Sequence, residues 1–180
     1  LHPYPLQPHE MAAQIDNLSA DTAYVIEWEA DGSYVFHRGG EPLPALSVDA
    51  TAGQTMHLSK VEVAVCDREG RFQVVAQEPV EIHSGQQVRV CLYWEALAAP
   101  NAERTVSVRM VDGAGQLATI YDNLPGRGNK PTSWWEKGWQ IRDVYYLTLS
   151  PQAQAGPGHL DVLVYDTVSG EIVPFEGQDG

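Results

Sequence analysis

Alternation between a face of large apolar residues and a mostly polar face, over short segments, is the feature that most limits what this chain can fold into. The pattern recurs in four segments: "KVEVAVC" (60–66), "QVRVCLYWEAL" (87–97), "RTVSVRMV" (104–111) and "HLDVLVYD" (159–166). A period of two residues is typical of antiparallel strands that bury one face and leave the other polar. The alternation therefore predicts an all-β protein.

The faces defined by this alternation also predict the core. Its members are the large apolar residues that point to one side of each segment: Trp94, Val88, Val90, Leu92, Val106, Val108, Met110, Val162 and Val164. Strands with one apolar face must bury it against a second layer. The prediction is an antiparallel β-sandwich of about seven to nine strands, with immunoglobulin-like or jelly-roll topology. The order of the strands does not follow from the sequence.

Three strands end in a repeated phrase of Asp, a short gap and Gly. The pairs are Asp67 and Gly70, Asp112 and Gly115, and Asp166 and Gly170. An Asp side chain accepts the backbone N–H two residues on, and Gly takes the left-handed conformation that closes a short loop. A calcium loop needs further acids at alternating positions, and these loops do not have them. We therefore predict three hairpin turns.

The N-terminal part of the chain has a different pattern. Residues 1–20 contain three early prolines and read as an extended leader. Residues 22–38 form two β-rich runs around Asp31-Gly32, a strong hairpin signal. The Gly- and Pro-rich stretch 39–55 then reads as a loop. We predict a leader, a β-hairpin extension and a linker over 1–52, followed by the sandwich over 53–180.

Composition and motifs argue against several classes of function. A net charge of −13 with only 11 Lys and Arg residues disfavours nucleic-acid binding. Cys66 and Cys91 are too few for a zinc site, and they form either one bridge or two free thiols in neighbouring strands. The chain has no nucleophile elbow, phosphate loop or zinc-protease motif, and its six histidines lack ligand spacing. We predict a protein that is not an enzyme and uses no metal or cofactor.

Several of these segments together resemble a known family. They are "LYWEA" (92–96), "MVDGAG" (110–115), "PTSWW" (131–135) and "PGHLDVLVYDTVSGE" (157–171). The chain resembles, over about residues 58–175, the extracytoplasmic β-sandwich domains attached to bacterial membrane glycosyltransferases and related multi-spanning proteins. His159 and Leu160 replace the aromatic of the family pattern, and Ser169 replaces its Thr. The resemblance implies an accessory domain outside the membrane, without catalytic residues, tethered to a membrane protein through sequence upstream of Leu1.

Aromatic residues are concentrated between residues 121 and 146. Aromatic faces flanked by amide and charged groups are suited to sugar rings, whose C–H face stacks while the hydroxyls form hydrogen bonds. The candidate ligand-binding residues are Trp134, Trp139, Tyr121, Asp122, Asn123, Arg127 and Asn129. The competing interpretation is structural, since large aromatics are more often buried. Trp135 matches the Trp of the family pattern and is expected to fill the end of the sandwich. If this segment is extended, Trp134 should then point elsewhere.

Three hypotheses of function follow, in order of preference. The first is an extracytoplasmic accessory module, in the periplasm or at the cell surface, that recognises a carbohydrate or a protein partner. The second is a structural spacer or assembly domain whose aromatics are buried. The third is a glycan hydrolase, which requires two carboxylates about 5–9.5 Å apart across a cleft. An exposed Trp134 or Trp139 separates the first hypothesis from the second.

Overall fold

A computed structural model describes residues 24–28, 34–38, 46–75 and 80–176 of the chain. It divides into two units, residues 1–43 and 44–180. The first unit contains one antiparallel pair, β1 (Tyr24–Trp28) and β2 (Tyr34–Arg38). This pair confirms the two strands of the predicted hairpin. The Asp31-Gly32 turn and the leader lie outside the described residues.

The second unit is an antiparallel β-sandwich, as predicted. Its strands are β3 (Leu46–Ala52), β4 (Met56–Cys66), β5 (Phe72–Val74), β6 (Gln87–Ala96), β7 (Arg104–Val111), β8 (Leu117–Asn123), β9 (Gln140–Thr148), β10 (His159–Asp166), β11 (Ile172–Val173) and β12 (Phe175–Glu176). The larger sheet has the order β12-β3-β4-β6-β9, with β5 paired to the end of β4, and the smaller sheet has the order β11-β10-β7-β8. Neither sheet closes on itself. The immunoglobulin-like or jelly-roll topology stays a prediction.

One segment of the predicted linker is part of the sandwich. Residues 46–52 form β3, which pairs antiparallel with β4 and with β12. Along β3, Ala50 and Ala52 are buried while Ser47 and Asp49 are not, so this segment follows the same alternation as the other strands. The prediction of a loop there was wrong because nearby Gly and Pro residues were given more weight than the short apolar alternation of Leu46, Val48, Ala50 and Ala52.

The core lies between the two sheets where the alternation placed it. Of the nine predicted core residues, eight are buried, and Val162 is partly buried against them. Trp94 on β6 is 1% exposed and stacks on Phe175 of β12, with ring centroids 6.4 Å apart. The outward faces are not uniformly polar and solvent-exposed, because Arg89 and Cys91 of β6 are also buried.

The three hairpin turns are confirmed. Asp67 Oδ1 accepts the backbone N–H groups of Glu69 and Arg71, and Gly70 has φ +81°. Asp166 Oδ1 likewise accepts from Val168 and Ser169 before the left-handed Gly170. In each turn the carboxylate replaces a missing backbone partner, which is the role the sequence predicted.

The Asp112 turn also holds the β9–β10 connection. Asp112 Oδ1 accepts from Ala114 N and Gln116 N, each at 2.9 Å, and Oδ2 accepts from Gln154 N at 2.8 Å. Gln154 belongs to the segment that leads into β10. One buried carboxylate therefore joins the β7–β8 turn to a segment some forty residues later in the chain.

Stability is expected to depend on pH through Asp112. Backbone N–H donors of Gln154, Gln116 and Ala114 lower the pKa of this carboxyl below its usual value. A carboxyl whose pKa is lower in the folded than in the unfolded state stabilises the fold at pH values above the unfolded-state pKa, about 3.9. This stabilisation is lost as pH falls through the folded-state pKa. We expect Asp112→Asn to lower Tm by a few degrees at pH 7 and to show a smaller decrease in Tm than wild type between pH 5 and pH 2. Thermal denaturation across this range measures both, and parallel profiles would contradict the assignment.

Candidate functional site

The connection between β8 and β9, residues 124–139, contains most of the predicted ligand-binding residues. It begins with three consecutive left-handed residues, Gly126, Arg127 and Gly128, at φ +63°, +58° and +82°. Backbone bonds from Gly128 N to Leu124 O and from Lys130 N to Pro125 O close this turn. A left-handed backbone costs a non-glycine residue roughly 1–2 kcal/mol, so Arg127 is held in this turn by its surroundings.

A buried carboxylate anchors this turn to the sandwich. Asp143 on β9 is 1% exposed and accepts Gly126 N at 2.8 Å. Its other oxygen accepts the phenol O–H of Tyr145 at 2.5 Å. Burial, and then the neighbouring Asp143 carboxylate, raise the pKa of Tyr145 well above its usual value. The phenol therefore stays protonated and continues to donate to Asp143.

Thr132, six residues after Gly126, is the second anchor of this connection. Thr132 is fully buried, and its hydroxyl accepts Arg104 N at 2.8 Å. Its own backbone N–H donates to Glu103 Oε1 at 2.7 Å. Thr132 opens a single 3₁₀ turn, Thr132–Trp134. The Thr of the "PTSWW" segment thus ties the connection to the start of β7.

The two adjacent tryptophans differ sharply in burial. Trp135 is 1% exposed, and its indole N–H donates to Lys130 O at 3.0 Å. Trp134 is 44% exposed. Trp135 thus belongs to the core, as expected, and Trp134 does not. The segment is a 3₁₀ turn rather than an extended strand, so the separation comes from the turn and its anchors.

Trp139 is less accessible than Trp134. It is partly buried and packs against the core cluster. The Lys130 ammonium lies 5.6 Å from the centroid of its ring, within cation–π range. Lys130 itself is only 6% exposed. Trp139 therefore has structural contacts on its inner side and offers only part of its ring to a ligand.

The remaining predicted residues are spread over different surfaces. Tyr121 packs toward the core, edge-to-face on Tyr145 at 5.7 Å. Asp122, one residue later, lies on the outer face of the smaller sheet and accepts Tyr165 O–H at 3.2 Å. The Arg127 guanidinium lies 5.0 Å from the Tyr146 ring on the outer face of the larger sheet. Asn123 is partly buried and Asn129 is exposed.

This distribution has a simple cause. Consecutive residues of a strand alternate between its two faces, so Tyr121 and Asp122 are separated although they are adjacent in the sequence. The seven residues are concentrated in the sequence but lie on different faces of the fold. Among them, Trp134 combines a large aromatic face with high exposure on an anchored turn.

A group of polar residues on the larger sheet was missed by the sequence reasoning. Glu62 and Arg89 form an ion pair at 3.1 Å, and both are at most 7% exposed. Tyr93 O–H donates to the second Glu62 oxygen at 3.3 Å. The available signal was the identity of the outward positions of β4 and β6, which hold a carboxylate, a guanidinium and a phenol. Without the register between the strands, these positions read only as a solvated face.

Both cysteines are free thiols, which confirms one of the two alternatives. Cys66 pairs with Phe72, whereas Cys91 on the next strand pairs with Glu62. The two therefore lie four residues apart along β4, roughly 13 Å at the rise of a strand, which is beyond disulfide reach. Burial raises the pKa of the buried Cys91 thiol.

Two other features, a metal centre and a membrane-spanning helix, are absent from the described residues. Within them, no group of three or more His, Cys, Asp and Glu side chains is placed to share a metal ion. The same part of the chain has no helix with the length and apolar character of a membrane span. Comparisons with protein-family models, with curated proteins and with solved structures found no match to this chain.

Proposed function

We propose that the sandwich is a non-catalytic recognition module that contacts a carbohydrate through Trp134. The observation that carries this proposal is the contrast between Trp134, at 44% exposure, and its neighbour Trp135, at 1%. An indole that is 44% exposed on an anchored turn offers a surface for stacking, and the fixed backbone of the turn limits the conformational entropy lost on binding. The C–H face of a sugar ring is a suitable partner for such a surface.

The anchors of the connection support this proposal. Asp143 holds the start of the connection, and Thr132 holds the residues just before Trp134. Both are buried and joined to strands of the sandwich. A binding residue on a loop needs such support if its orientation is to be kept between the free and bound states.

The location is part of the same proposal. We place the module outside the cytoplasmic membrane, in the periplasm or at the cell surface, as an accessory to a membrane protein. The support is the resemblance of its strand and turn segments over about residues 58–175. The "PTSWW" and "PGHLDVLVYDTVSGE" segments have structural roles in this fold.

An assembly domain is the alternative, and one observation favours it. Leu117 and Ile120 on β8, a strand at the edge of the smaller sheet, are 54% and 42% exposed. An exposed edge strand with apolar side chains is a template for pairing with another chain. A protein partner or a second copy would then cover this edge, and Trp134 would have no separate role.

Substitution of Trp134 tests the proposal. We expect Trp134→Ala to weaken binding to the recognised glycan about tenfold, with Tm unchanged within roughly 2 °C, since stacking contributes about 0.5–1.5 kcal/mol beyond burial and the ring is exposed. Tryptophan fluorescence with acrylamide quenching, followed by titration with soluble glycans, measures accessibility and affinity together.

Leu117→Ala is the matched control, because it removes another exposed apolar side chain without touching the connection. It should leave glycan affinity unchanged. If Trp134→Ala binds every glycan as wild type does, the recognition role is wrong. If Leu117→Ala instead dissociates an oligomer in analytical ultracentrifugation, the assembly alternative is correct.

A further inference from the structure

The outer face of β4, β6 and β9 carries an unusual set of side chains, which we call the cationic face. The strand register arranges it in three rows: Lys60, Tyr93 and Arg142; Glu62, Cys91 and Val144; Ala64, Arg89 and Tyr146. Arg127 reaches the same face from the β8–β9 connection, above Tyr146. These ten residues hold four cations and one carboxylate, in a chain whose net charge is −13.

The guanidiniums of Arg89 and Arg142 both reach the middle row, from opposite sides. Arg89 Nη2 donates to Glu62 Oε1 at 3.1 Å. From the other outer row, Arg142 Nη2 donates to Cys91 Sγ at 3.3 Å. The two guanidiniums therefore converge on neighbouring residues of adjacent strands, although their own positions on β6 and β9 lie in different rows.

The acceptors on this face are poorly matched to these donors. One carboxylate, Glu62, already accepts from both Arg89 and Tyr93. The partner of Arg142 Nη2 is a thiol, and sulfur is a weak acceptor. A guanidinium is a planar fork of donors whose geometry matches the two oxygens of a carboxylate. Tyr93 is a further hydrogen-bond partner of Arg142, so the guanidiniums of Arg89 and Arg142 share one carboxylate, one phenol and one thiol on this face.

A buried donor of Arg89 points to the same conclusion. Arg89 is 7% exposed, and its Nε has no hydrogen-bond partner. Buried polar groups are nearly always paired, and an unpaired one is costly. The Phe72 ring of β5 lies over this guanidinium, 5.2 Å from its central carbon, so an additional acceptor reaches the unpaired Nε–H when that ring moves aside.

We propose that the cationic face binds the carboxylate of an acidic sugar, such as a uronic acid. Arg89, beneath the Phe72 ring, forms the floor of this site, and the half-buried Arg142 and Tyr93 with the exposed Arg127 form its accessible rim. Lys60 lies over the ring of Tyr93 and Arg127 over that of Tyr146. The uncovered parts of these half-buried rings provide apolar surface for the sugar ring. This site is separate from Trp134, and the inference does not rest on the proposed function.

NMR of the arginine Nε–Hε groups tests the site directly in the ¹⁵N-labelled full chain. The probes are tri-galacturonate, neutral maltotriose, inorganic sulfate and hexaglutamate. We expect tri-galacturonate to shift the Arg89 and Arg142 signals, and maltotriose to leave them in place. The Arg89 shift should persist in Trp134→Ala, so that failure of this site and failure of the Trp134 surface are distinguishable.

Two substitutions at Arg142 measure its contribution. Arg142→Gln should weaken tri-galacturonate about tenfold, since it removes a charge-assisted fork. Arg142→Lys keeps the charge but loses the fork of donors, so its affinity for tri-galacturonate should lie between those of wild type and Arg142→Gln. Arg68→Gln removes an exposed cation from the β4–β5 turn and should change the affinity less than about twofold, because exposed charges distant from a site are largely screened by salt.

Four results would overturn the inference. Unmoved arginine signals would show that the face is closed to ligands, and equal weakening by Arg68→Gln would show general charge attraction. Sulfate binding as tightly as tri-galacturonate would indicate a simple anion site without a sugar. Tighter binding of hexaglutamate would assign the face to an acidic polypeptide.

Discussion

Trp135→Ala is expected to lower the free energy of unfolding by about 3–5 kcal/mol, as for other large buried aromatics replaced by alanine. Trp135 is 1% exposed, so truncation removes a large packed side chain and leaves a cavity. It also removes the indole donor to Lys130 O, which leaves that buried carbonyl without this partner. For a domain of this size the loss corresponds to a decrease of roughly 10 °C in Tm. Urea denaturation measures the change.

Trp134→Ala is the matched control for this experiment. The two residues are adjacent and identical, and they differ only in surroundings, at 44% and 1% exposure. The control should cost less than about 1 kcal/mol, since exposed substitutions are usually small in effect. Equal losses for the two variants would contradict the placement of Trp135 in the core.

Gly158→Ala is expected to destabilise the sandwich by about 3 kcal/mol, at the upper end of overpacking effects. A Cβ at this position would lie 2.3 Å from the carbonyl oxygen of Val111. Because the obstacle is backbone, a side-chain rotation cannot relieve the clash. Instead, the start of β10 must move away from β7, with which it pairs from His159 onward.

Gly115→Ala separates this steric effect from backbone conformation. Gly115 has φ +74°, and a Cβ added there would meet no atom within 4 Å. Alanine at this position therefore costs only the left-handed conformation, about 1–2 kcal/mol. Both variants are measured by chemical denaturation under the same conditions. A Gly158→Ala variant no less stable than Gly115→Ala would show that β7 and the β9–β10 connection do not approach this closely.

The strands and turns were predictable because their causes are local. The alternation in "QVRVCLYWEA" reflects the two faces of one strand, and the buried side of β6 is the predicted one. The Asp-to-Gly turns depend on hydrogen bonds within about four residues. β3 was missed because its alternation is short and lies beside several Gly and Pro residues.

The candidate site was only partly predictable. The sequence placed Trp134 and Trp135 on different sides of the chain, and the structure confirms this. It also grouped Tyr121, Asp122 and Arg127, which the structure places on different faces. Proximity along the chain is a poor guide to proximity in a sheet, where adjacent residues point in opposite directions.

By itself, the sequence determined the all-β class, the inward face of most strands and the three hairpin turns. These follow from backbone sterics and from burial of one face of each strand. Only the tertiary structure decided which outward positions meet. Glu62, Arg89 and Arg142 are separated by between 27 and 80 residues and come together through the register of three strands. That register depends on pairing energies summed over whole strands, and no short segment contains them.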